Sequence, residues 1–144
     1  MAEIEYAFLA DAAQIQPGQK FAVLGGGISR LTGGAIPFVH PHLALVVGLR
    51  LHPAERGREH DLSFRLTDPE GNDVANASGR VVAHGPSDPS DIVLNIAVDL
   101  WNLNLRVVGD HAVRISVDGT ERRRLPLTVA VGREAAPPEQ RYLA

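Results

Sequence analysis

Alternation of apolar and polar side chains, renewed again and again between Leu43 and Val131, is the feature that most narrows what this chain can become. Residues i and i+2 share a face only in extended backbone, so the pattern predicts strands and not helices. The clearest strand places Leu43, Leu45, Val47, Leu49 and Leu51 on one face and Ala44, Val46, Gly48 and Arg50 on the other. Its second face is also largely apolar, which predicts a central position with cover on both sides.

The same reading extends along the chain. Ile4, Tyr6, Phe8 and Ala10 predict an opening strand, and Ala10 to Gln14 leaves room for one helical turn at most. Phe21 and Val23 begin a second strand, which Gly25-Gly26-Gly27 ends or bends. Leu62, Phe64 and Leu66 run into Asp68-Pro69-Glu70-Gly71-Asn72, whose Pro and Gly placement predicts a tight turn and a hairpin returning through Val74 toward Val82. His84 to Asp91 is rich in Pro, Ser and Asp and reads as a surface loop. Ile92 to Leu100 and Val113 to Val117 restore the alternation, and Asp118-Gly119 is a hairpin signal leading to Leu125, Leu127, Val129 and Val131. About seven or eight short strands in a chain of this size predict an all-β, antiparallel, immunoglobulin-like β-sandwich, with a closed barrel as the alternative.

With 144 residues the chain suits one domain, expected over 1–132, with 133–144 read as a flexible C-terminal tail or docking peptide. There is no cysteine, which excludes disulfides and thiolate chemistry. The formal net charge of -3 gives no general field for nucleic acid or anionic lipid, so neither is expected as a partner. Lys20 is the only lysine, and the arginine bias reads as the codon usage of a GC-rich genome. The first residues lack a basic region followed by a long apolar run, and no stretch approaches the roughly 18 apolar residues of a membrane span; a cytoplasmic protein is expected.

Two segments resemble those of bacterial immunoglobulin-like domains. Leu62 to Gly71 is similar to their alternating strand closed by an Asp-x-x-Gly turn, and Gly109 to Gly119 to their final hairpin, with His111 where a tyrosine is usual. The whole chain resembles a bacterial family of unknown function, with an immunoglobulin-like sandwich, that opens Glu-Tyr-Ala-x-Leu-Ala-Asp, here Glu5 to Asp11, and continues to a Gly-Gly-Gly run, here Gly25 to Gly27. The resemblance implies a fold and no activity.

Histidines provide the weak metal-ligand candidates: His40 and His42 share a strand face if the backbone is regular, and His52 and His60 flank the next loop, with Glu55 and Asp61 as oxygen donors. The bland alternative is polar residues at strand ends. No cofactor or metal is expected. Gly25-Gly26-Gly27-Ile28-Ser29 lacks the helix a phosphate loop requires and reads as a bulge or turn. No serine sits in a Gly-x-Ser-x-Gly elbow, so no catalytic residue is assigned and the chain is not expected to be an enzyme. Partner-binding candidates are Arg114, Arg122, Arg123 and Arg124, the last three being the densest basic cluster, together with Trp101. Against these stand a solvated edge for the arginines and a lid over the core for Trp101. A non-catalytic protein-interaction or structural module, binding a protein or a second copy, is the expected role; the alternatives are a small-ligand or metal-binding sandwich using the histidine loops and, behind it, an enzyme with a non-contiguous site.

Overall fold

A computed structural model describes residues 2–85 and 88–132. It is all-β and has two sheets. In chain order the strands are β1 (Glu3–Gln16), β2 (Lys20–Gly26), β3 (Arg30–Gly33), β4 (Phe38–Leu51), β5 (Glu59–Thr67), β6 (Asp73–Val82), β7 (Ile92–Leu105), β8 (Gly109–Val117) and β9 (Thr120–Val131). One sheet has the order β2-β1-β4-β7 and the other β3-β9-β8-β5-β6. A 3₁₀ turn, Pro53–Glu55, precedes β5, and there is no α-helix among the described residues. Ala10 to Gln14 is strand, so the helical turn allowed there is not formed.

The nine described strands exceed the expected count because β3 escapes the alternation: in Arg30-Leu31-Thr32-Gly33 only Leu31 is buried. That strand also departs from the antiparallel expectation, since Arg30 to Gly33 run parallel to Thr128 to Val131. The tail expected over residues 133–144 lies outside the described residues.

The alternating faces meet as the periodicity predicts. Leu43, Leu45, Val47, Leu49 and Leu51 of β4 are fully buried in one cluster with Leu62, Phe64 and Leu66 of β5, Val113, Ile115 and Val117 of β8, and Leu127 and Val129 of β9. Each such side chain contributes about 1.5–3 kcal/mol on leaving water, so this cluster dominates the stability.

The second face of β4 is sealed differently. β1 pairs with β4 through Glu3 to Ala10 and with β2 through Ala10 to Gln16, so its second half carries the β1–β2 hairpin away from β4. The hairpin arches across to β7, where the Gln19 side chain and carbonyl accept from the main-chain and side-chain nitrogens of Asn95 at 2.7 and 2.6 Å. Beneath it Tyr6, Phe8 and Phe21 form a ring cluster with centroids 5.9 to 6.5 Å apart. Tyr6 lies across Gly48 and donates its hydroxyl to Asn95. A Cβ at residue 48 would stand 2.4 Å from the Tyr6 ring, so only glycine admits this contact. Ala44, Val46 and Gly48 are consequently buried on the face that points away from the main core.

Where β4 passes Pro41 and β7 passes Asn102, both strands change parity. Leu43 and Leu100 face the core, His42 and Trp101 pair on the outer face, and Leu103 and Leu105 are buried again. The positive φ of Asn102, 52°, marks the irregularity in β7. The pairing of β1 with β4 does not extend to Pro41, so the missing N–H breaks no ladder on that side.

Candidate functional site

The β8–β9 hairpin turns on Asp118 and Gly119, with φ of 50° and 83°, as a two-residue loop with positive φ at both positions requires. This brings Glu121-Arg122-Arg123-Arg124 back along β8, but a register shift between Ile115 and Ser116 separates the cluster. Arg123 pairs with Ile115 and donates to the Ile4 carbonyl at 3.0 Å, clamping one sheet to the other. Arg122, exposed at the irregularity, acts electrostatically on Asp118. Arg124 stands directly opposite Arg114, and Arg114 directly opposite Arg65.

Three arginines therefore occupy one row across β9, β8 and β5 on the outer face of the five-stranded sheet. Arg65 was not among the sequence candidates; it reads as an ordinary polar strand position, and only the pairing register places it in the row. Asp73 accepts from Arg65 Nε and a terminal nitrogen at 2.9 and 2.7 Å, and holds the guanidinium pKa above its ordinary value. Arg114 donates to Glu121 at 3.1 Å and to the Thr67 hydroxyl at 3.3 Å. Arg124 has no side-chain partner among the described residues. Like charges directly opposite on neighbouring strands oppose pairing, by an amount on the scale of about 0.2–1 kcal/mol, and the two carboxylates neutralise the row only in part. Ser63 faces Ser116 in the adjoining row, and no aromatic residue occupies either.

The histidines do not converge. His40 is turned toward the core side with Nε2 buried and unpartnered. His42 lies on the outer face, Nδ1 at 2.7 Å from the Asp11 carbonyl and Nε2 at 2.7 Å from Asp99. His52 is 2.9 Å from Asp91 at the other end of β4. Buried His60 faces Asp118 at 3.0 Å and the Glu55 carbonyl at 3.1 Å. Glu55 accepts from the His52 amide at 3.3 Å and Asp61 from Arg80 at 3.1 Å. Among the described residues no three His, Asp or Glu side chains are grouped to hold a metal.

Trp101 is not a lid over the core. It is 66% exposed on edge strand β7, outward as the neighbour of inward-facing Leu100, with the His42 ring tilted against it at a centroid distance of 4.2 Å. In the glycine run, the amides of Gly27 and Ile28 donate to the Leu9 carbonyl at 2.8 and 3.0 Å, which commits them to the bend that ends β2.

A family model matches residues 5–130. The chain belongs to the Family of unknown function (DUF6941). No curated protein matches it. Among solved structures the chain is similar to Pseudomonas fluorescens alkylpurine DNA glycosylase AlkC bound to DNA containing an abasic site analog, with a TM-score of 0.48 and 10% identity, over 90% of this chain and 30% of that one. The chain thus spans under a third of that enzyme's length. The expectation that nucleic acid is not a partner is withdrawn on this finding: net charge alone cannot exclude it when a similar structure holds DNA, although a likeness this distant carries no argument for DNA binding here. No helix among the described residues is long and apolar enough to cross a membrane.

Proposed function

We propose that this chain is a non-catalytic interaction module, built on an immunoglobulin-like sandwich, that binds an acidic segment of a protein partner on the row Arg65, Arg114 and Arg124. The observation that carries the reading is the in-register placement of three arginines directly opposite one another on neighbouring strands, with a single carboxylate beside each of two and none beside the third. Arginine forks match carboxylates in pairs, so an extended acidic segment crossing the row replaces mutual repulsion with charge-assisted hydrogen bonds. Asp73 and Glu121 interrupt the positive row, and an acidic segment whose carboxylates are spaced along it matches the gaps they leave.

The strand order supports the finer fold reading. β5–β6 and β8–β9 are hairpins, β4–β5, β6–β7 and β7–β8 cross between sheets, and β3 joins the sheet opposite to β1 by running parallel to β9.

The test is titration of the full chain with a glutamate-rich peptide and, separately, a single-stranded oligonucleotide of equal charge, followed by amide and arginine Nε NMR signals. The reading expects peptide-induced shifts centred on Arg65, Arg114 and Arg124, and about a tenfold or greater loss of affinity in Arg124→Glu, the worth of one charge-assisted contact. Tighter binding of the oligonucleotide overturns the protein-partner reading, and shifts absent with both ligands overturn the site.

A further inference from the structure

At the end of the sandwich away from the Asp118 turn lies a cleft of about 500 Å³ between the β5–β6 turn and the segment joining β7 to β8. One wall carries Asp68, Glu70 and Asp73, the facing wall Asn104 and Arg106, and His111 also lines it. His111 occupies the first inward position of β8, ahead of Val113 and Ile115, and is only 2% exposed.

Its ring is half satisfied. Nδ1 lies 3.1 Å from the Gly109 carbonyl, which can only accept, so Nδ1 carries a proton. Nε2 is buried with no hydrogen-bond partner. In the neutral ring it is an acceptor, and a buried acceptor left without a donor costs about 1–3 kcal/mol. The inner nitrogen of this ring therefore has no N–H within bonding distance, those of the lining residues included.

The walls specify the rest of such a ligand. Asp68 spends Oδ1 on the amides of Glu70 and Asn72, each at 2.9 Å, while its Oδ2 meets only the Asn72 side chain at 3.5 Å. The Asn72 amide above all keeps the Asp68 carboxyl below the usual range, so it stays anionic. Asp73 spends Oδ1 on Arg65 and leaves Oδ2 unbonded. Across the cleft, with the Asn104 amide assigned so that its oxygen faces Arg106, Arg106 donates Nε and one terminal nitrogen to that oxygen at 3.0 and 3.1 Å, which keeps its second terminal nitrogen for another acceptor. A simple cation would meet repulsion from Arg106, and a simple anion from the facing carboxylates.

We propose that this cleft binds an amino carboxylate of amino-acid size, its ammonium donating to His111 Nε2, Asp68 and Asp73 and its carboxylate accepting from Arg106. The site is independent of the arginine row except for Arg65, whose contact with Asp73 uses the other carboxylate oxygen.

The experiment follows the His111 imidazole nitrogens by NMR in the full chain during titration with a mixture of the common amino acids, then with n-propylamine and with propionate. The mixture should move the Nε2 resonance saturably, and each half-ligand should bind about tenfold or more weakly, as expected for loss of one charge-assisted contact. Arg106→Gln, at an exposed position, should weaken the amino acids by a similar factor and leave propylamine unchanged; His111→Phe should abolish the response of the neighbouring Val107 amide. An unmoved Nε2 resonance, or one moved equally by sodium chloride, overturns the proposal and assigns the nitrogen to water. Should His111→Phe fail to fold, Arg106→Gln decides alone: unchanged amino-acid affinity overturns the amino-carboxylate assignment.

Discussion

His60 and Asp118 stand 58 residues apart in sequence and 3.0 Å apart in space, Nδ1 against Oδ2. The contact ties the start of β5 to the β8–β9 turn, and Asp118 adds a second tie by accepting from the Asp61 amide at 2.9 Å. Both His60 nitrogens face oxygen acceptors, since Nε2 meets the Glu55 carbonyl, and only the imidazolium satisfies both.

That geometry sets a pH dependence. Burial disfavours the charged ring, but the Asp118 and Glu55 contacts outweigh it, and the His60 pKa is raised from 6.5. A raised pKa in the folded state stabilises fully below the unfolded value and loses that contribution as pH rises through the folded one. Asp118 is lowered from 3.8, chiefly by His60, so its share is present above that value and lost as pH falls. Stability should therefore decline from this pair over the interval that begins near the unfolded value of about 6.5 and ends as pH passes the raised folded value. Urea midpoints across that interval should fall in the native chain and flatten in Asp118→Asn, which keeps the turn's tolerance of positive φ.

Gly48→Ala should destabilise by about 1–3 kcal/mol, because the added methyl drives into the Tyr6 ring and lifts the β1–β2 hairpin from β4. Urea unfolding measures the loss. Tyr6→Phe should cost about 1 kcal/mol through the Asn95 contact alone, so a larger loss for Gly48→Ala than for Tyr6→Phe marks steric displacement of the hairpin.

Arg124→Glu should hold or raise thermal stability by about 0.2–1 kcal/mol, since it turns a like-charge pair across from Arg114 into an opposite-charge one. The same substitution should weaken the glutamate-rich peptide. Opposite signs for stability and binding separate a row kept for a ligand from one kept for the fold; a clear loss of stability contradicts the register argument.

Trp101 is the only tryptophan, so fluorescence reports on it alone. Its emission should be that of indole in water, with ready quenching by acrylamide. Trp101→Ala should cost less than about 1 kcal/mol, as for a surface position away from the core. A blue-shifted, protected emission would place the ring inside.

How much of this was legible follows from what each feature depends on. The alternation exposed β4 and its burial on both faces, because a strand's faces are written locally in steps of two. The turns at Asp68 to Asn72 and Asp118-Gly119 were legible because specific φ requirements select specific residues. Hidden were the features that need two distant segments at once. The parity change at Asn102 turns Leu103 and Leu105 inward and leaves Trp101 on the opposite face, β3 has a single buried residue, and Arg65 joins Arg114 only through register. His40, His42, His52 and His60 look neighbourly along the chain, yet the length of β4 and the crossing between sheets hold them apart. His111 stood out in the sequence only as a histidine where a tyrosine is usual, and its second nitrogen acquires meaning only beside Asp68 and Arg106.

The parallel pairing of β3 with β9 carries a consequence for biosynthesis. Among the described strands β3 has no hydrogen-bonded neighbour but β9, the last of them to be made. On the ribosome, Arg30 to Gly33 wait with open main-chain groups until Thr128 to Val131, roughly a hundred residues later, have emerged. Closure of that sheet edge is thus a late, long-range event, and a nascent chain halted before Thr128 exposes the β8–β9 flank to any extended segment nearby.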